Sequence, residues 1–324
     1  MKLKRKIGII ILSVLTIIIL SIPYSTSYLI VLTQQTPILS QNWWQALNWI
    51  KDNTPDCSVI ATYWDPGHFI TGIAERPVVF DGASQNSIRI IEIEGNLSQE
   101  EIKKIAVIDN YQTEIIEKDG KIVTRITTAR IQDIGTTLFT DNETKAVEIL
   151  KKYMMPNCND SMYYIASSDL IGKSQWWTYF STWTPETHSG DKYVYMPVGL
   201  AQTKPVITEN AVGYIYPFTS DQAFIIYEKN KTLTLMLQQG SNWLKVKKLF
   251  YFKDNNGYLE EYPDAEIKGM VWLSPDKTWI IYIPDELVNS MFTRMFLFNG
   301  QGLEKFEFAG NWGGEVKLFK VKFD

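Results

Sequence analysis

The chain has 324 residues, 45% of them hydrophobic and 21% charged, with a formal net charge of −4 and only 2 histidines. That length accommodates one large domain or two ordinary ones, mild acidity without a long basic stripe argues against a nucleic-acid partner, and so few histidines argue against a His-built metal centre. Aromatic residues are abundant, with 11 Trp and 17 Tyr, which suits a core and equally a surface that binds peptide or sugar.

The amino terminus is basic and then apolar. After Lys2, Lys4, Arg5 and Lys6 no charged residue occurs from Ile7 through Ile50. The run Ile7 to Ile22, resuming after Pro23 through Tyr28-Leu29-Ile30-Val31-Leu32, exceeds the ~20 residues that a helix needs to cross the hydrocarbon. Basic residues ahead of it put the rest of the chain outside the membrane. A single transmembrane helix is therefore expected within an anchor and linker at residues 1–39. A cleaved signal peptide, with Ser25-Thr26-Ser27 after a short apolar region, is the alternative.

From residue 40 to 192 the pattern alternates strand and helix, giving a mixed α/β central domain. Trp43, Trp44, Leu47 and Ile50 recur at helical spacing and stop before Pro55. Ser58 to Tyr63 reads as a buried strand. The stretch 92–127 looks like an insertion with a hairpin at Lys118-Asp119-Gly120-Lys121. Thr140-Asp141-Asn142-Glu143 has capping-box spacing ahead of a helix through Ala146, Ile149, Leu150 and Tyr153, and Met162 to Ala166 reads as another strand. Residues 193–324 are short strands broken by turns such as Asp254-Asn255-Asn256-Gly257 and Asn299-Gly300-Gln301-Gly302, the texture of an antiparallel β subdomain. Cys57 and Cys158 each sit just before a predicted strand. Were those strands neighbours in a parallel sheet, an exported chain would bridge the two thiols; two free buried thiols are the alternative. Asn96, Asn142, Asn159 and Asn230 head Asn-x-Ser/Thr triplets, which permit glycosylation.

Two segments carry candidate chemistry. Tyr63-Trp64-Asp65-Pro66-Gly67-His68 puts an indole and a carboxylate at a strand end. An indole N–H only donates and an ionised carboxylate only accepts, so the pair suits a pocket gripping a hydroxyl-bearing side chain. Taken alone, an aromatic lid over an Asp-Pro-Gly turn explains it as well. Ser168-Asp169-Leu170-Ile171-Gly172-Lys173 follows the second strand, the usual place for a ligand-facing loop in an open α/β sheet. On a helix, Asp169 and Lys173 would otherwise form a surface ion pair worth only about 0.3–0.5 kcal/mol. His68, Asp65 and Asp81 do not close a metal site, and a stacking or hydrogen-bonding His68 is the better reading. No Ser-His-Asp or Cys-His arrangement recommends a hydrolase.

The first segment resembles the Trp-Trp-Asp-Tyr-Gly region of the catalytic subunit of oligosaccharyltransferase, the enzyme that transfers a lipid-linked glycan to asparagine, and is most similar to its archaeal form. The resemblance implies that Tyr63, Trp64 and Asp65 contact the hydroxyl of the acceptor Ser or Thr. Tyr63 stands where the family has its first Trp, and Pro66 where it has Tyr. The family's short helix with an Asp, and a Lys three positions on, implies the same role for Asp169 and Lys173, although here Gly172 holds the third position and the Lys comes one later. The apolar contact that follows in the family has Trp176 as a possible counterpart. Ser290-Met291-Phe292-Thr293-Arg294-Met295-Phe296-Leu297-Phe298 looks like the family's carboxy-terminal strands, with a packing role.

The family's catalytic acids lie on external loops of a long multi-span membrane region and bind a divalent metal, Mn or Mg. One predicted span precedes the domain here, so the resemblance implies no catalytic residue and no metal in this chain. It implies a sequon-recognition part of a glycosyltransferase, inactive alone, with an acceptor polypeptide as substrate and lipid-linked oligosaccharide supplied through a multi-span membrane partner. The implied location is the cell membrane, single-pass, with the domain extracytoplasmic. The chain is then half of a split or truncated transferase, or a paralogue that kept recognition and lost chemistry. A non-catalytic surface protein binding peptide or sugar is the rival class.

Overall fold

A computed structural model gives the structure of the chain, and it describes residues 39–323 apart from 85–87, 109–110, 157, 159–160, 202–205, 208–210, 231 and 255. The predicted span from Ile7 to Leu32 lies outside those residues. Among the described residues no helix is long and apolar enough to cross a membrane. The chain divides into two compact units, residues 1–44 and 45–324.

Helix Gln41–Asn53 starts where Ser40 Oγ accepts the Trp43 amide at 3.2 Å, relieving one of the unpaired N–H groups of a first turn. Leu47 and Ile50, on the expected face, are fully buried. The helix stops ahead of Pro55, which steers the residue before it out of the helical region. Its last carbonyls are gathered by Arg76, whose Nη2 donates to Lys51 O and Thr54 O at 2.6 Å each, a cation placed where the helix dipole is negative.

Strand β1 (Val59–Ala61) pairs in parallel with β5 (Met162–Ser167), Val59 opposite Met162. Every residue of both is buried, as in strands covered on two faces. Just ahead of them Cys57 and Cys158 form a disulfide with Cα atoms 5.6 Å apart, beside the hydroxyls of Ser58 and Ser161, 2.7 Å apart. Strand β16 (Val316–Val321) pairs antiparallel with β5, and β15 (Phe306–Trp312) completes the order β1-β5-β16-β15. The last strands thus return to the central sheet, so the sheets do not divide at residue 193 as the composition suggested. The pairing of Val316 with Ser167 is a long-range choice that no local pattern encodes.

The remaining strands of the second half form a nine-stranded sheet. They are β6 (Met196–Gly199), β7 (Val206–Ile207), β8 (Val212–Pro217), β9 (Gln222–Lys229), β10 (Thr232–Gln239), β11 (Asn242–Lys253), β12 (Asn256–Glu261), β13 (Ile267–Leu273) and β14 (Trp279–Ile283). The expectation of an antiparallel subdomain needs correction, because β11 and β13 run parallel. β12 turns the chain back along β11, so the next strand, on β11's other edge, takes β11's own direction. Along β13, Met270 and Trp272 enter the core shared with the α/β layer while Val271 and Leu273 enter the core of the opposite face, the two-residue period of a strand.

The insertion is β2 (Ile88–Glu94), helix Gln99–Ala106, β3 (Gln112–Lys118) and β4 (Lys121–Ala129), a three-stranded sheet with a small core of Ile102, Ala106 and Ile126. Its hairpin turns at Asp119 and Gly120 with φ of 53° and 73°, the positive values that a two-residue turn requires at both positions. Two further expectations shift. The helix after Thr140 is capped by Asn142, whose Oδ1 accepts the Lys145 amide at 3.1 Å, because Thr140 already ends the preceding helix Arg130–Phe139. The segment Thr293–Leu297 is helical, not strand: Met291, Phe292, Met295 and Phe296 recur at helical spacing and are buried, and Ser290 Oγ accepts the Thr293 amide at 3.2 Å.

Candidate functional site

Strands β1 and β5 run in the same direction side by side, so the residues that follow them emerge together at the carboxyl edge of the sheet, the edge where open α/β sheets collect ligands. After β1 the chain bends through Asp65-Pro66-Gly67, and the Gly67 amide donates to Trp64 O at 3.1 Å. A Cβ on Gly67 would lie 2.5 Å from Asp81 Cβ and 2.8 Å from Phe80 O, so only glycine lets this bend lie against Phe80 and Asp81. Tyr63 is 2% exposed with its ring edge-on to Phe80, centroids 6.2 Å apart. Burial, and then the nearby Asp65 charge, push its phenol well above the ordinary range and keep it neutral. Tyr63 is therefore core, whereas Trp64 and Asp65 reach the surface half-buried. Asp81 accepts from Ser84 Oγ at 2.8 Å and from the amides of Ala83 and Ser84; the Ser84 hydroxyl is the main cause of its lowered pKa. His68 Nδ1 lies 3.5 Å from Asp81 Oδ2, a local contact.

After β5 come two short helices, Asp169–Gly172 and Ser174–Thr182. Fully buried Trp177 fixes one on the other, its Nε1 donating to Leu170 O at 2.9 Å. Lys173, at their junction, donates to Asp169 Oδ2 at 2.6 Å and lies 3.0 Å from Asp65 Oδ2. The pair expected from spacing is present, and the third member comes from the other segment. Burial works against the ammonium, but the hydrogen bond and charge of Asp169, and then of Asp65, outweigh it and raise the Lys173 pKa.

Two carboxylates around one ammonium leave one negative charge and spare acceptor capacity. Asp169 Oδ1 is buried without a hydrogen-bond donor, and among the described residues Asp65 Oδ2 has no partner but the shared Lys173 ammonium at 3.0 Å. Thr62 Oγ1 and Ser167 Oγ, beside the two strand ends, are also unpaired. A buried acceptor left unmatched costs about 1–3 kcal/mol, so these oxygens call for donors from water or from a ligand. A small hydroxyl meets that need. A divalent cation does not, because Lys173 already fills the space between the carboxylates; among the described residues no group of three His, Cys, Asp or Glu could hold a metal.

Trp176, the apolar neighbour singled out in the sequence, is 47% exposed, with Lys192 Nζ 5.1 Å from its ring centroid. Trp177 is the residue that builds the site. No local spacing marks it, because the bond forms only where the chain breaks at Lys173 between the two helices.

No family model matches the chain. It is 25% identical over 89% of its length to the dolichyl-phosphooligosaccharide-protein glycotransferase of Methanocaldococcus jannaschii, and 23% identical over 83% of its length to that of Methanococcus voltae. The chain spans about a third of those relatives, 33% and 35% respectively. The C-terminal domain of C. jejuni pglb resembles it with a TM-score of 0.44 and 11% identity, covering 86% of this chain and 99% of that one.

Proposed function

The chain is homologous to archaeal dolichyl-phosphooligosaccharide-protein glycotransferases, and on that premise we propose that it serves protein N-glycosylation as the part that recognises Asn-x-Ser/Thr. The observation that carries this reading is the meeting of Asp65, Asp169 and Lys173, with donor-poor carboxylate oxygens at the carboxyl edge of β1 and β5. The acceptor Ser or Thr hydroxyl donates to a carboxylate oxygen and accepts from Lys173, with Trp64, whose indole N–H serves the Tyr63 hydroxyl, as the aromatic wall beside it. Tyr63 supports this pair from the core. Holding the hydroxyl fixes the asparagine two places before it, so the rate gain comes from positioning. Glycan donor, divalent metal and catalytic carboxylates belong, on this reading, to a multi-span membrane region outside residues 39–323. The domain faces outward from the cell membrane behind the span at Ile7 to Leu32, and the Cys57–Cys158 bond supports an oxidising compartment.

A site shaped to hydrogen-bond an OH discriminates strongly against ligands that lack it. In membranes containing the chain and a multi-span partner with its acidic loops, Asn-x-Thr peptides are expected to be glycosylated far faster than Asn-x-Val peptides, and Asp65→Ala to erase most of that difference. Equal use of both peptides by the unmodified complex would sink the reading.

A further inference from the structure

A cavity of about 530 Å³ is lined in part by Ser168, the residue before Asp169. That volume is in the range of small-molecule pockets, roughly 300–1,000 Å³. Phe252 and Trp279, both half-buried, line it together with the buried rings of Trp272 and Phe296. The two indoles meet at 5.1 Å between centroids, and the Trp272 Nε1 proton is already given to Leu297 O at 3.0 Å. Much of the wall is therefore aromatic face, and Asp276, the carboxylate on it, is already held by the hydroxyls of Ser274 at 2.7 Å and Thr278 at 2.8 Å. Asn299 and Asn311 are exposed residues of the lining; their carbonyl oxygens accept from Lys317 and from the Gly314 amide, so what each amide still offers a ligand is its NH₂ group.

Lys317 is the unusual member. It is 7% exposed, and two of its protons go to Phe296 O and Asn299 Oδ1, both at 2.5 Å. The third has only the Phe296 ring, with the ammonium 4.7 Å from its centroid. Among the described residues no carboxylate pairs with this ammonium. Burial alone pushes its pKa down to about 8. A buried cation without a counter-charge is costly, and here it lies on the wall of an open cavity.

We propose that this cavity binds an acidic sugar: a pyranose lying on the aromatic wall, its hydroxyls met by the Asn299 and Asn311 amides and its carboxylate by the third proton of Lys317. The aromatic walls favour a sugar over an acidic peptide side chain. A pyranose has a C–H face as broad as an indole, whereas Asp or Glu brings a carboxylate on a thin aliphatic stem and would leave two tryptophan faces unused. The two amides match ring hydroxyls in the same way. This inference stands apart from hydroxyl recognition at Asp65 and Asp169, since binding is measured without any transfer reaction, and either reading can fail while the other stands.

The probes are the methyl glycosides of glucuronic acid and of glucose, titrated against the full chain in detergent, with tryptophan fluorescence and ligand-observed NMR as readouts. Methyl glucuronoside is expected to bind saturably and at least tenfold more tightly than methyl glucoside. Lys317→Met is expected to abolish that preference, and Trp279→Ala, at the half-buried edge of the pocket, to weaken both sugars at least tenfold while circular dichroism stays unchanged. Equal binding of the two sugars by the unmodified chain, or no saturable binding of either, overturns the proposal. So does a glutamate-bearing peptide that binds more tightly than the glucuronoside, which would make the cavity a peptide subsite.

Discussion

Two lysines of this chain are shifted in opposite senses, and the difference lies in what surrounds each ammonium. Lys173 has Asp169 and Asp65 within 3.0 Å and is held charged above its usual range. Lys317 has two neutral oxygens and a ring, and burial brings it down to about 8 from 10.5. The consequence for stability follows from linkage. With a folded-state pKa below the unfolded one, the native chain releases its proton first, so between about pH 8 and 10.5 the unfolded state binds more protons and stability rises with pH. At pH 7 the charged, buried Lys317 costs on the order of 3 kcal/mol relative to an unshifted lysine. Lys317→Met removes that cost but leaves the buried Phe296 carbonyl without a donor, about 1–3 kcal/mol, while the exposed Asn299 amide can turn to water. The variant is therefore expected to be at least as stable as the parent at pH 7, with an advantage that shrinks as pH climbs through 8 toward 10. Urea unfolding of both proteins at pH 7, 8.5 and 10 measures this; a difference that does not change with pH would show that Lys317 titrates normally.

At the scale of elements, the site depends on the short helix Asp169–Gly172 keeping its angle to Ser174–Thr182, and Trp177 Nε1 to Leu170 O is the bond that fixes it. Trp177→Phe keeps an aromatic ring in the core and deletes only that donor and part of the ring volume. Leaving a buried carbonyl unpaired costs about 1–3 kcal/mol. The expected result is a loss of stability of that size together with a reduced preference for Asn-x-Thr over Asn-x-Val peptides, although Trp177 itself is fully buried. A variant that loses stability and keeps the full preference would mean that the Trp177 bond does not position Asp169. What the sequence disclosed follows the same boundary between local and distant. The Asp119-Gly120 turn, the helix ending at Pro55 and the strands around Ile60 and Tyr164 are written in neighbouring residues, and each is found. The helix Thr293–Leu297 was hidden by a run of aromatic and β-like residues whose helical spacing competes with strand propensity. The meeting of Asp65 with Lys173, and of Val316 with Ser167, joins segments that no local period connects. The first could be anticipated only through resemblance, the second not at all.

For the molecule as a whole, the three-stranded insertion tests how far one part of the domain can be changed without the rest. Its small core of Ile102, Ala106 and Ile126 is separate from the main core, and Ile88 and Ala129 at its base are direct cross-strand partners, so a two-residue turn can join them. The connection to the main body runs through Asp133 in helix Arg130–Phe139. That carboxylate is fully buried, accepts from Tyr153 Oη at 2.5 Å, and has Arg89 Nε at 3.6 Å and Lys152 Nζ at 3.9 Å. Burial is the largest influence on it and raises its pKa, while Lys152, Tyr153 and Arg89 oppose. Replacing residues 89–128 by Asn-Gly removes Arg89 and also Ala106, whose carbonyl takes a Lys152 hydrogen bond, so Asp133 loses one of its two nearby cations and the other loses its anchor. Removing one partner of a buried charge costs about 3–5 kcal/mol when nothing replaces it; with Tyr153 and Lys152 remaining, a smaller loss is expected. Excision alone should therefore give a folded but weakened domain, and excision combined with Asp133→Asn should recover part of the loss, because the neutral amide keeps a hydrogen bond to Tyr153 without a buried charge. Thermal unfolding of the three proteins decides it. If Asp133→Asn destabilises the excised domain as much as the intact one, the insertion is not held through Asp133.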